Sequence, residues 1–126
     1  MPLSLLTDEQ ISYVVAEQVQ VKRPDILITS VRAWREGTFQ GKADESLLRA
    51  AAEEGLTLVN YDQKTIPPVL SAWGVTGETH TGVVFVDGLT IPQGDVGGLV
   101  RALIQQWDLT QTWEWKNTIS FLRPAR

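Results

Sequence analysis

Three short apolar runs, each followed by a stretch of helical character, most constrain what this chain can fold into. They are Leu3–Thr7, Ile26–Thr29 and Leu56–Tyr61. Between the first two, Ile11, Val14, Val15 and Val19 recur at helical spacing. Between the second and third lies Asp44 to Glu54, rich in Leu and Ala, stopped by Gly55 at the position where helices commonly end. Strands alternating with helices over short links argue for a parallel sheet, because consecutive parallel strands need a crossover and a helix supplies it. Gly82–Val86 reads as a fourth strand. Pro67–Pro68 starts a helix expected to run to about Trp73. Asp95 is a candidate N-cap for a helix to about Trp107. The tail, Trp113 to Leu122, alternates weakly and is a candidate edge strand. The expectation is a three-layer α/β/α sandwich with a mainly parallel sheet of four to five strands.

At 126 residues the chain is expected to be one domain, with a core over about 3–107 and a Trp-rich tail over 108–126. It has no cysteine and one histidine, so thiolate sites and paired-histidine sites are excluded and any metal site must be rich in oxygen. The formal net charge of −4 argues against a broad basic face for nucleic acid, so any such affinity is local or metal-assisted. The opening MPLSLLTDEQ lacks the basic start of a leader, and no apolar stretch nears the ~18 residues of a membrane span. A cytoplasmic protein with no membrane contact is expected.

The chemistry-bearing residues sit where the strands end. Asp8 follows the first run, Asp62 follows the third, and Asp44 opens the second helix. In an open parallel sheet, strand C-termini and neighbouring helix N-termini gather on one edge, where ligands bind. Three carboxylates meeting there repel one another unless a cation neutralises them, and Mg²⁺ or Mn²⁺ takes oxygen ligands. Such ions activate water and stabilise the leaving oxygen in phosphodiester hydrolysis. Each aspartate also has a plain alternative: Asp8 and Asp44 as acidic helix starts, Asp62 as a turn residue. Glu9, Glu45, Lys64 and Asp87 are secondary candidates. Adjacent helical residues point about 100° apart, so at most one of each acidic pair faces a common ion. Arg32, Arg35 and Lys42, in the irregular stretch from Ser30 to Ala43, are candidates for contacting a nucleic-acid backbone, with Trp34 or Phe39 stacking a base or else filling the core. His80 is a candidate acid or base, though a lone loop histidine is more often structural. Gly97–Gly98, costly inside a helix, points to close packing on the sheet or a ligand.

Several of these segments are similar to a known family. Ala43–Asp44–Glu45–Ser46–Leu47–Leu48, then Glu54–Gly55–Leu56–Thr57–Leu58–Val59, then Asp62, resembles the C-terminal motif block of PIN-domain ribonucleases such as VapC-type toxins. Leu5–Leu6–Thr7–Asp8–Glu9–Gln10 resembles the "LLDEN" start of short PIN-like proteins, and His80–Thr81–Gly82–Val83–Val84–Phe85–Val86 looks like their "HPGII" strand. The resemblance implies a Mg²⁺- or Mn²⁺-dependent ribonuclease with Asp8, Asp44 and Asp62 as catalytic metal ligands. It also implies RNA as substrate and a small antitoxin as partner. Two departures stand out. The family's further glutamate has only Glu36 to represent it, and its "TRDKDF" run reads Asn60–Tyr61–Asp62–Gln63–Lys64–Thr65–Ile66 here. They motivate a second expectation, a non-catalytic PIN-like module that binds a protein partner or forms a homodimer. A third, a receiver-like phosphoacceptor domain, matches Asp8–Glu9 and Asp62 but lacks the required late lysine.

Overall fold

The computed structural model describes residues 3–41 and 43–125. Five parallel strands form one sheet: β1 (Ser4–Thr7), β2 (Leu27–Ser30), β3 (Thr57–Asn60), β4 (Val83–Phe85) and β5 (Ile119–Phe121). Their spatial order is β2-β1-β3-β4-β5. The chain steps one way from β1 to β2 and the other way from β2 onward. The switch point, where the loops leaving two adjacent strands diverge, therefore lies between β1 and β3.

Four helices cover the sheet: α1 (Tyr13–Lys22), α2 (Asp44–Glu53), α3 (Ile66–Thr76) and α4 (Val96–Thr110). Alternation along the buried strands divides the core in two. Leu5, Val59 and Val84 pack with Val15 and Val19 of α1 and Leu99 and Leu103 of α4. Leu6, Leu58 and Val83 pack with Leu47 and Leu48 of α2 and Ile66 and Trp73 of α3. The result is a three-layer α/β/α sandwich with α1 and α4 on one face, α2 and α3 on the other. Its central strands β1, β3 and β4 are buried on both sides, hence their near-continuous apolar sequence.

The last crossover is unusual. The steps β3 to β4 and β4 to β5 run in the same direction along the sheet. Yet α3 and α4 lie on opposite faces. Those two crossovers therefore have opposite hands, and one belongs to the rare left-handed class. As a consequence no helix covers β5 on the α2/α3 side. Ile119 and Phe121 stay exposed there, Phe121 resting against Phe85 at 5.7 Å between ring centroids.

Local details revise several sequence expectations. The first helix starts after Ser12, whose hydroxyl accepts from the Val14 N–H, and not at Asp8. Helix α3 runs through Gly74 to Thr76 and ends on left-handed Gly77. Asp95 caps α4 as expected, through the Gly98 N–H. Gly98 has its reason there: a Cβ at that position would lie 2.3 Å from the Asp95 carboxylate, so the glycine makes room for the cap. In the tail, the Trp107 and Trp115 indole N–H groups donate to the carbonyls of Leu3 and Thr110, making those residues core, while Trp113 stacks half-exposed on Trp115. Among the described residues no helix is long and apolar enough to cross a membrane.

Candidate acidic site at the sheet switch point

Strand register places the first polar residues of the site. Thr7 is opposite Val59, so Asp8 is level with Asn60, and the ladder continues through the Asp8 N–H to the Val59 carbonyl at 3.0 Å. Alternation sends Asp8 and Asn60 to the face of Leu6 and Leu58, the face covered by α2 and α3. Asp62 lies two residues beyond Asn60, and Asp44 is the first residue of α2. The three aspartates thus meet on one side of the sheet, at its switch point.

Their electrostatics record the meeting. Burial pushes Asp44 up to about 6, reinforced by a hydrogen bond shared with Asp62 and by the charges of Asp62 and Asp8. Burial also raises Asp8, partly offset by the Glu9 N–H and aided by repulsion from Glu9 and Asp62. Burial alone would raise Asp62 as well. The Thr65 hydroxyl, the N–H groups of Thr65 and Lys64, and the proton shared with Asp44 instead bring it down to about 2. Asp44 and Asp62 therefore behave as a carboxyl–carboxylate pair, while Asp8 raises Asp44 through space and is itself raised by Asp62. None of the five ion pairs between described residues involves any of the three.

The plain alternatives fare differently. Asp8 is not a helix cap, since Ser12 fills that role. Among the described residues its carboxylate accepts one hydrogen bond, from the Glu9 N–H at 2.7 Å. Asp44 keeps its plain alternative: with Glu45 it is an acidic residue in the first turn of α2, where Ala43 stands at the N-cap without a side-chain hydrogen bond. Asp62 does serve its turn, one oxygen accepting from the Lys64 and Thr65 N–H groups at 2.7 and 2.8 Å.

Secondary candidates mostly stand apart. Glu9 turns to the Gly41 N–H. Glu45 pairs with Arg49 at 3.2 Å and meets the Trp73 indole. Asp87 closes its own turn on Leu89 and Thr90. Lys64 is exposed and pairs with no acid among the described residues. His80 precedes β4, at the opposite edge of the sheet from the acids; its Nδ1 accepts from the Gly82 N–H, and burial lowers its pKa. Arg35 is bonded to Glu54 at 2.6 Å and stacked on Trp34 and Phe39, with Trp34 buried, so that trio holds its own loop together. Arg32 lies over the Tyr13 ring at 3.9 Å. Lys42 lies outside the described residues. Glu36 sits in the turn Trp34–Gly37 with a left-handed backbone.

Sequence reasoning missed Asn60. It is fully buried, its amide oxygen accepts from the Asp62 N–H at 2.8 Å, and its Nδ2 has no partner. That backbone donor fixes the amide orientation, leaving the NH₂ as the orphan beside Asp8. The signal was present: a polar residue ending an otherwise apolar strand, two positions before an aspartate.

The donor set fits a hard divalent cation in chemistry. It is all oxygen, mutually repelling, without an ion-pair contact to a lysine or arginine among the described residues, and flanked by an unused amide donor that suits a newly ionised carboxylate or an ordered water. In geometry it is open. Among the described residues no three acidic or imidazole groups already surround one point, so an ion would draw the aspartates together. Searches of protein-family models, curated proteins and solved structures gave no match to the chain.

Proposed function

We propose that this chain is a PIN-like ribonuclease dependent on Mg²⁺ or Mn²⁺, with Asp8, Asp44 and Asp62 as the residues that would hold the ion. One observation carries the reading: three aspartates gather at the switch point, where burial first, and then the hydrogen bond shared with Asp62 and the charges of Asp62 and Asp8, raise Asp44 to about 6, and no cation among the described residues is paired with them. Structural carboxylates are normally paired; uncompensated ones concentrated at a ligand-binding edge mark function. A bound ion would supply activation of water and stabilisation of the departing oxygen. The chain's own residues do the rest. Asp62, held ionised by the Thr65 and Lys64 N–H groups, is the ready ligand. Asp44 releases its proton as the ion arrives. Asn60 steadies the Asp62 backbone. RNA is the proposed substrate, and a small antitoxin covering the acidic edge is the proposed partner, its arginine or lysine taking the place of the ion.

The test is cleavage of labelled RNA with Mn²⁺, with EDTA, and by the Asp44→Asn protein. Cleavage that needs Mn²⁺ and falls at least a hundredfold in the variant supports the reading. Metal-independent cleavage, or none across varied RNAs, sinks it.

A second reading, a PIN-like scaffold that binds a protein partner or a second copy, is favoured by the open geometry of the acids and by the use of Asp62 in its own turn. The receiver-like reading requires Asp8 and Glu9 to serve one ion together, and Glu9 is engaged with Gly41.

A further inference from the structure

Beside Asp8, away from Asp44 and Asp62, a hollow of about 220 Å³ opens between the ends of β1 and β2. Ser12, Tyr13, Ser30, Arg32 and Gln40 line it together with Asp8. Three observations mark it as built for a ligand. First, Arg32 forms no ion pair among the described residues. Its contact is the Tyr13 ring, 3.9 Å away, so a full positive charge is held flat and exposed beside an acidic site. Second, Ser30, only 5% exposed, lends a hydroxyl to the hollow wall, a donor and acceptor facing the space. Third, a second hollow of about 320 Å³ lies across the same pair and shares Tyr13, Ser30 and Arg32 with the first. The Arg32–Tyr13 stack thus stands between two adjoining hollows, the first of them beside Asp8.

The first hollow is smaller than the roughly 300–1,000 Å³ that whole small-molecule ligands occupy. It suits one planar ring. Its floor carries hydrogen-bonding groups, its rim an arginine–aromatic platform. Single-stranded nucleic acids are held by this combination: bases stack on aromatic and guanidinium planes while arginine meets the backbone. Asp8 and Glu9, both in the lining, exclude a phosphate from the interior of the hollow and leave Arg32, at the rim, as the phosphate contact. We infer that the hollow between Asp8 and the Arg32–Tyr13 stack takes one unpaired nucleobase of single-stranded RNA, with the next phosphate on Arg32. The inference rests on the nuclease reading for its substrate and adds the side from which the strand enters. A duplex cannot deliver a base there without unpairing it.

Binding can be measured without catalysis. Fluorescence anisotropy with a short labelled oligouridylate, in EDTA at low salt, is compared with the same backbone lacking bases and with a duplex. It is repeated on the Asp44→Asn/Asp62→Asn protein, where repulsion is reduced. The expected result is preference for the single strand over both controls. Tyr13→Leu and Arg32→Gln should each weaken binding about tenfold, and the double variant little more, because the pair acts as one platform. Both side chains are exposed, so the variants should fold, as circular dichroism will show. Equal affinity for the base-free backbone, unchanged affinity in Tyr13→Leu, or no RNA binding by either protein would overturn the inference. If RNA binds as expected while Mn²⁺ does not bind, the metal reading fails and this site stands. If Mn²⁺ binds and RNA does not, the reverse holds.

Discussion

Replacing Asp44 by asparagine should stabilise this protein, and only at a pH above that of its carboxyl. Folding moves the Asp44 equilibrium from 3.8 to about 6. At 1.36 kcal/mol per unit this corresponds to about 3 kcal/mol lost by the folded state when Asp44 ionises. Asp44 is part-exposed, so solvent screening reduces the figure to on the order of 1 kcal/mol. The sign follows from linkage. A carboxyl whose pKa is raised on folding favours the folded state fully below 3.8, and that advantage is lost as pH rises through about 6. Asparagine keeps the shape of the protonated acid and can donate to Asp62, but does not ionise. The Asp44→Asn protein should therefore match wild type near pH 4 and exceed it near pH 8, by about 2–6 °C in Tm. Thermal unfolding followed by circular dichroism at both pH values is the assay. A variant less stable than wild type at the higher pH, or a difference indifferent to pH, would refute the account of this cluster.

Other expectations follow from the same contacts. Arg35→Gln, which breaks the pair with Glu54 and the stack on Trp34, should lower stability by about 1 kcal/mol and leave RNA affinity unchanged; a selective loss of RNA binding would return Arg35 to the interface. His80→Gln should leave any metal-dependent cleavage at the wild-type rate while lowering Tm, because His80 supports the Gly82 N–H at the far edge of the sheet. Asp95→Ala should cost about 1 kcal/mol in urea unfolding through loss of the α4 cap, and an unchanged midpoint would contradict the capping assignment.

The sheet was legible because parallel strands buried on two faces are apolar throughout, and the runs beginning at Leu3, Leu56 and Gly82 contain β1, β3 and β4. Gly55 and Asp95 were legible because their roles are local: a left-handed backbone after α2 and a side chain reaching three residues ahead. The grouping of Asp8, Asp44 and Asp62 was anticipated from topology, since strand ends of a parallel sheet share an edge. Roles decided by distant parts of the chain escaped. Nothing near Ser12 says that it, and not Asp8, begins α1. Gly74 in α3 carries no local sign that the helix continues. The face chosen by α4, and with it the odd hand of the last crossover, depends on apolar packing against α1. Arg35 and Trp34 looked like a nucleic-acid contact because Glu54, the acid that engages Arg35, is far away in sequence. Tyr13 was overlooked because its partner Arg32 reaches it only after β2 has paired beside β1.

The central claim is that the three aspartates form one cation site, and calorimetric titration with Mn²⁺ tests it most directly. Wild type should bind Mn²⁺ with release of protons near pH 6, since Asp44 must ionise to take part. A folded Asp8→Asn/Asp62→Asn protein should show neither heat nor proton release. Binding that survives in the double variant, or a well-folded wild type that takes up no Mn²⁺, would contradict the account.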